Sequence, residues 1–207
     1  MGLFKKSVKT LVLGGGGARG LCHLGVLEVL EKNNLIPDLI VGTSMGAIIG
    51  AYYALYADIK KVKDVVKNLT EKQGLVDIEE SFKKEEKKDA MARLKKGIKG
   101  VRTFLATSRL GLDKISFFQE DILRDELKQE LENKTFSDLK IKYIAVATQL
   151  DEAKIVAFTK GDLMNSVIAS ASIPGIFLPV EIDGGIFVDG GVMSNVAVDI
   201  AYLAGSD

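Results

Sequence analysis

The sequence predicts an α/β fold built on a largely parallel sheet covered by helices, and three observations carry that expectation. Residues 8–13 are a short β-branched and leucine run and residues 39–41 a short apolar one, as expected of strands buried on both faces. Each run ends in glycines and is followed by a segment of helical texture, so the chain to Tyr56 reads strand, helix, strand, helix. More strand signals return after residue 140, which gives the sheet further members.

The first predicted strand stops at four glycines, after which Leu21, Leu24, Leu27 and Leu30 recur near helical spacing. Asn33 and Asn34 stop that helix, and Pro37 leads into the second apolar run. Gly42 to Gly46 then turn the chain into a second helix through Tyr56. From about residue 58 to 134 the texture is charged, lysine-rich and mostly helical, and reads as a cap or insertion. Residues 141–148 and 154–158 are strand-like and joined by a turn around Asp151, which predicts a hairpin or an antiparallel addition. A helix is predicted from Asp162 to Ser170. In SIPGIFLPVEIDGGIFVDGGVMSN, two of the chain's three prolines and two Asp-Gly-Gly triplets predict turns and short strands.

A length of 207 residues suits one domain, taken here as 1–207. Apolar residues at 47% and charged residues at 27% exclude both a disordered and a membrane-spanning class. With a formal net charge of +0, no overall field recruits nucleic acid, so that partner is not expected. Cys22 stands alone and cannot form an internal disulfide, which suits the cytoplasm. The apolar run before the first glycines is too short for a signal peptide or an anchor. Gly2 invites myristoylation, but Lys6 occupies the position where that motif requires Ser or Thr.

Gly42-Thr43-Ser44-Met45-Gly46 matches G-x-S-x-G at a junction of strand and helix, the setting in which a nucleophilic serine is held on a sharp turn. Ser44 as a plain helix cap is the alternative. Gly14 to Gly20, GGGGARG, follow the first strand and can aim several backbone N–H groups at one point, as a tetrahedral oxyanion requires. Gly15, Gly17 and Gly20 also satisfy G-x-G-x-x-G, a dinucleotide fingerprint. That reading wants an acidic residue at the end of the second strand, whereas Asp38 precedes the strand and its end is GTSMG. His23 is the only histidine and lies on a mostly apolar helix, where packing is the expected role. A base for Ser44 must then be a carboxylate, a lysine or water. Asp189, at the end of a short apolar strand and followed by Gly190 and Gly191, is the placed carboxylate. Asp183, in the neighbouring triplet, reads as a hairpin turn.

These blocks resemble the patatin-like phospholipases. The family's D-G-G-G-x-R-G corresponds to Gly14 to Gly20, its G-x-S-x-G to Gly42 through Gly46, and its D-G-G or D-G-A to Asp189 through Gly191, in the family's order. The similarity extends to HLGVL after the glycines and ASIPGIFLP before the aspartate. The resemblance implies a three-layer α/β/α sandwich with a mostly parallel central sheet. It implies Ser44 as nucleophile, Asp189 as its catalytic partner, Gly15, Gly16 and Gly17 as oxyanion donors, and Gly42 and Gly46 as the elbow's glycines. It also implies phospholipid or other acyl-ester substrates hydrolysed without a metal or cofactor, with transient contact at a membrane surface.

Three departures stand beside it. Gly14 replaces a frequent aspartate, Val196 and Ala197 stand where a proline is often near, and the sequence ends 18 residues after Asp189, where family domains usually continue. An incomplete C-terminal end is thus part of the expectation. Arg19 is read as bracing the glycine loop, with contact to a lipid phosphate as the alternative. Residues 93–105, RLKKGIKGVRTFL, place Leu94, Ile98, Val101 and Leu105 on one helical face with basic residues largely on others. That stretch is read as a cap helix, with an anionic bilayer surface as the alternative. Two other functions use the same residues differently: a thioesterase or acyltransferase, and a catalytically silent lipid-binding scaffold. Oligomeric state is left open.

Overall fold

The computed structural model describes residues 8–71 and 117–205, with side chains described at 8–69 and 123–205. The basic stretch 93–105, and most of the segment read as a cap, lie outside the described residues.

The described elements follow the predicted alternation. Strand β1 (Thr10–Leu13) leads through a 3-10 turn (Gly17–Leu21) into helix α1 (Cys22–Lys32). Strand β2 (Leu39–Thr43) leads into α2 (Met45–Tyr56), and α3 (Ile59–Glu71) follows. After α4 (Phe117–Leu131) come β3 (Lys142–Gln149), β4 (Lys154–Phe158) and α5 (Leu163–Ala171). A hairpin of β5 (Val180–Ile182) and β6 (Gly185–Asp189) and a short α6 (Val198–Leu203) complete the order.

The sheet runs β1-β2-β3-β6-β5, with β4 on the other edge of β3. Strands β1, β2 and β3 pair in parallel, while β4 and β6 run antiparallel to β3. Strand β5 is antiparallel to β6 and so points the same way as the first three, leaving four of the six described strands in one direction. Asp151 sits in the β3–β4 turn, and Asp183 and Gly184, at φ 50 and 81, form the tight β5–β6 turn. Positive φ at both central residues matches the twist of a two-residue hairpin.

Strand alternation divides the core between two faces. Ile40, Tyr143, Ala145, Ala147 and Phe187 face one way and pack with residues from α1 to α5. Leu39, Val41, Ile144 and Val146 face the other way, with Ala197 and Ala201 at α6. Helices therefore cover both sides, the three-layer arrangement that the resemblance implies. In the charged segment, Ile59, Val62, Val66 and Leu69 of α3 and Leu123, Leu127 and Leu131 of α4 are buried at helical spacing and belong to the main core. Full burial of such a side chain contributes roughly 1.5–3 kcal/mol, so these two helices are fastened to the main core, α3 against α1 and α2 and α4 against α5.

Helix α2 is buried on nearly every side because its small residues let backbones touch. A Cβ on Gly46 would lie 2.1 Å from the Leu13 carbonyl oxygen, so only glycine lets the start of α2 rest on the end of β1.

Candidate active site

Strand pairing brings Ser44 and Asp189 together from 145 residues apart in sequence. Strand β4 fills one edge of β3 along Ala145–Gln149, so β6 must lie on the same edge as β2. There β2 and β6 run toward each other: Thr43 pairs with Val146, and Asp189 pairs with the next residue, Ala147. The C-terminal ends of the two strands meet head-on, and the residues at that meeting point are Ser44 and Asp189. The collision leaves no room for a side chain on the next residue. A Cβ on Gly190 would lie 2.3 Å from the Val146 carbonyl oxygen and 3.1 Å from Thr43 Cγ2.

Ser44 stands at φ 56 and ψ −125, a strained conformation for a residue with a Cβ, and its side chain makes no capping hydrogen bond. A capping serine instead adopts extended backbone and accepts from the first helical turn. The geometry thus sets aside the plain helix-cap reading and leaves the hydroxyl available at the N-terminus of α2.

Asp189 is 5% exposed. Its Oδ1 accepts the Gly191 N–H at 2.7 Å, and its Oδ2 has no hydrogen-bond partner among the described residues. Burial raises the carboxyl pKa above the ordinary range, opposed by the adjacent Ser44 hydroxyl and by the Gly191 N–H. The hydroxyl lies close enough to favour the charged carboxylate, although no formed hydrogen bond joins the two.

The glycine loop borders the same point. A Cβ on Gly15 would lie 3.0 Å from Ser44 Cβ and 3.6 Å from Ser44 Oγ. The Gly15 N–H donates to the Asn195 carbonyl at 3.1 Å. The Gly16 and Gly17 N–H groups carry no such bond to a described residue. Gly42 and Gly46 flank Ser44 as expected, each with backbone closer than 3.0 Å to where a Cβ would be.

Arg19 is exposed, and its guanidinium forms no hydrogen bond or ion pair with a described residue, while its backbone N–H donates to the Gly16 carbonyl at 3.2 Å. The loop is also held by His23, whose Nε2–H donates to the Gly14 carbonyl at 2.8 Å, and by the Asn195 carbonyl. A carbonyl can only accept, so Nε2 carries the proton in this contact, and the His23 ring lies against the loop's backbone. The bond of Asn195 to Gly15 crosses from one end of the chain to the other, so no local pattern in the sequence reveals it. Among the described residues no three metal-ligating side chains cluster, and no helix is long and apolar enough to cross a membrane.

The sequence profile described as "Patatin-like phospholipase" matches residues 11–202. The chain belongs to the patatin-like phospholipase family. It is 27% identical over 197 residues to Lysophospholipase nte1 of Neurospora crassa, covering 95% of this chain and 11% of that protein. It is 29% identical over 199 residues to human Patatin-like phospholipase domain-containing protein 6, covering 95% of this chain and 12% of the relative. An uncharacterized NTE family protein of Mycobacterium tuberculosis is 28% identical over 195 residues, covering 94% and 45%. The chain thus spans less than half the length of each of these relatives. Among solved structures, VipD from Legionella pneumophila superimposes with a TM-score of 0.55 at 19% identity, over 90% of this chain and 46% of that one, which shows a shared fold.

Proposed function

We propose that the protein is a serine lipid-acyl hydrolase that cleaves acyl esters through Ser44 and Asp189. The observation that carries this reading is the head-on meeting of β2 and β6, which sets a strained, uncapped serine against a buried carboxylate beside a glycine loop. Family membership and relatives with lysophospholipase names support a lipid ester as the substrate class.

In this mechanism Asp189 takes the Ser44 proton as Oγ attacks the ester carbonyl. The Gly16 and Gly17 N–H groups receive the oxyanion, with Gly15 held back by its bond to Asn195 and serving as the loop's anchor. Collapse of the tetrahedral intermediate breaks the bond to the alcohol oxygen, which leaves with the proton held by Asp189. Water then attacks the acyl-enzyme, gives its proton to Asp189, and releases the fatty acid as Ser44 recovers its hydrogen. Only the carboxylate form can accept the first proton, and its raised pKa makes Asp189 a stronger base than an ordinary carboxylate.

A substrate panel tests the class. Purified protein is expected to release fatty acid from lysophospholipid or diacyl phospholipid faster than it cleaves acyl-CoA of matched chain length. Faster acyl-CoA cleavage would assign the site to a thioesterase, and no turnover of any member would favour a silent lipid-binding scaffold. His23 supplies a second check. His23→Gln keeps a donor for the Gly14 carbonyl and is expected to retain activity within about tenfold, the scale of one modest hydrogen bond. A folded variant as inactive as one lacking Ser44 would make His23 the base.

A further inference from the structure

The backbone N–H of Ser44 lies in the elbow, between β2 and α2, and is served by neither the sheet nor the helix. Its acceptor is the side-chain hydroxyl of Ser170, at 3.0 Å. The same hydroxyl donates to the Val146 carbonyl at 2.6 Å, and Ser170 is fully buried. Two residues further on, the carbonyl of Ser172 accepts the N–H of Asp189 at 2.9 Å. The end of α5 therefore grips the backbone of both Ser44 and Asp189.

We propose that the C-terminal end of α5 is the jig that sets Ser44 against Asp189, with Ser170 as a positioning residue for catalysis. The proposal rests on the reading of Ser44 as nucleophile and Asp189 as base. Val146 is the β3 residue that pairs with the last residue of β2, and its neighbour Ala147 pairs with the last residue of β6. A bond from Ser170 to Val146 thus ties α5 to the point where the two strands meet. A hydroxyl is suited to this place because it donates once and accepts through its lone pairs. Alanine can do neither, and would leave the Ser44 N–H unpaired in a buried elbow already held at positive φ. The backbone would then gain by relaxing toward a conformation in which that N–H finds another acceptor, and the hydroxyl would swing away from Asp189.

The test measures fluorophosphonate labelling per folded molecule, mapped to Ser44, together with kcat and KM on a soluble short-chain ester. Ser170→Ala is expected to slow labelling and kcat by roughly 10- to 100-fold with KM unchanged, the size expected when a buried N–H loses its partner. Ser170→Cys, of similar volume but with a weak donor and acceptor, is expected between wild type and Ser170→Ala. Ser166→Ala is the control: Ser166 is equally buried on α5 and its hydroxyl donates only to the Asp162 carbonyl, at 2.8 Å, so its loss should leave the labelling rate unchanged. A structural role alone would lower the melting temperature while folded molecules still label at the wild-type rate, and that result in Ser170→Ala overturns the proposal. If Ser170→Ala does not fold, a wild-type rate in Ser170→Cys overturns it equally. Wild-type protein that is folded but unlabelled at Ser44 would instead refute the underlying dyad, so the two failures are told apart.

Discussion

Ser44→Ala is expected to abolish both fluorophosphonate labelling and ester hydrolysis while the protein melts within a degree or two of wild type. Loss of a serine nucleophile costs on the order of 10⁶ in kcat where the groups of a catalytic unit act together, which would place the variant at background. The fold should not notice, because the Ser44 hydroxyl caps nothing. What holds the elbow is its backbone: the N–H on Ser170, and the carbonyl accepting from Ala47 at 2.8 Å and Ile48 at 3.2 Å. Alanine keeps all three bonds and is no more strained than serine at positive φ. Thermal unfolding followed by circular dichroism, beside a rate assay on one ester, reads both halves of the expectation. Turnover within tenfold of wild type would exclude a covalent mechanism through Ser44, and unfolding of the variant would mean that the hydroxyl has a structural partner outside the described residues.

What could be read from the sequence was what local chemistry encodes. The alternation of β1, α1, β2 and α2 is written in apolar runs, glycines and leucine spacing, each within a window of a dozen residues. The β5–β6 hairpin is written in Asp183-Gly184, since few residues accept positive φ at two successive positions. Asp162 is likewise recognisable as the start of α5, where its side chain accepts the Asn165 N–H at 2.7 Å. The direction and edge of β6 were not legible. Strand pairing is a long-range choice, and nothing within residues 185–189 says that they will meet β2 end to end. For the same reason Ser170 passed unnoticed. A serine in ASASIPG has no periodicity or spacing to mark it, and its bond to Ser44 spans 126 positions. The occupied donor of Gly15 is a third case, because a glycine-rich loop reveals how many N–H groups it offers but not which are taken by a distant carbonyl. The motifs therefore marked the candidate residues, whereas the groups that hold their geometry came only from the fold.

The two Asp-Gly-Gly triplets give the sharpest separation of the roles proposed here. Asp189→Asn is expected to lower acyl-enzyme formation by roughly 10² to 10⁴, the contribution of a lost general base. The amide keeps nearly the same volume, and its oxygen can still accept the Gly191 N–H. Stability should move the other way. Burial raises the folded pKa of Asp189, so the folded state holds its proton to higher pH than the unfolded chain does. Stability then falls as pH rises from the unfolded carboxylate value through the raised folded one, and at neutral pH the buried charge is a net cost. Asparagine removes that charge, and the variant should melt at or above the wild-type temperature at neutral pH, with the advantage fading as both are acidified. Activity of the wild type should decline as pH drops through the raised pKa, because protonated Asp189 cannot take the Ser44 proton. Asp183 stands in an exposed turn with φ 50, and Asp183→Asn should change activity little, since asparagine tolerates the same conformation. Labelling rates, ester hydrolysis from acid to neutral pH, and melting curves for both variants decide the matter. An active Asp189→Asn beside an inactive, folded Asp183→Asn would exchange the two assignments, and an Asp189→Asn variant that is both inactive and markedly less stable would make Asp189 a strut of the loop rather than the base.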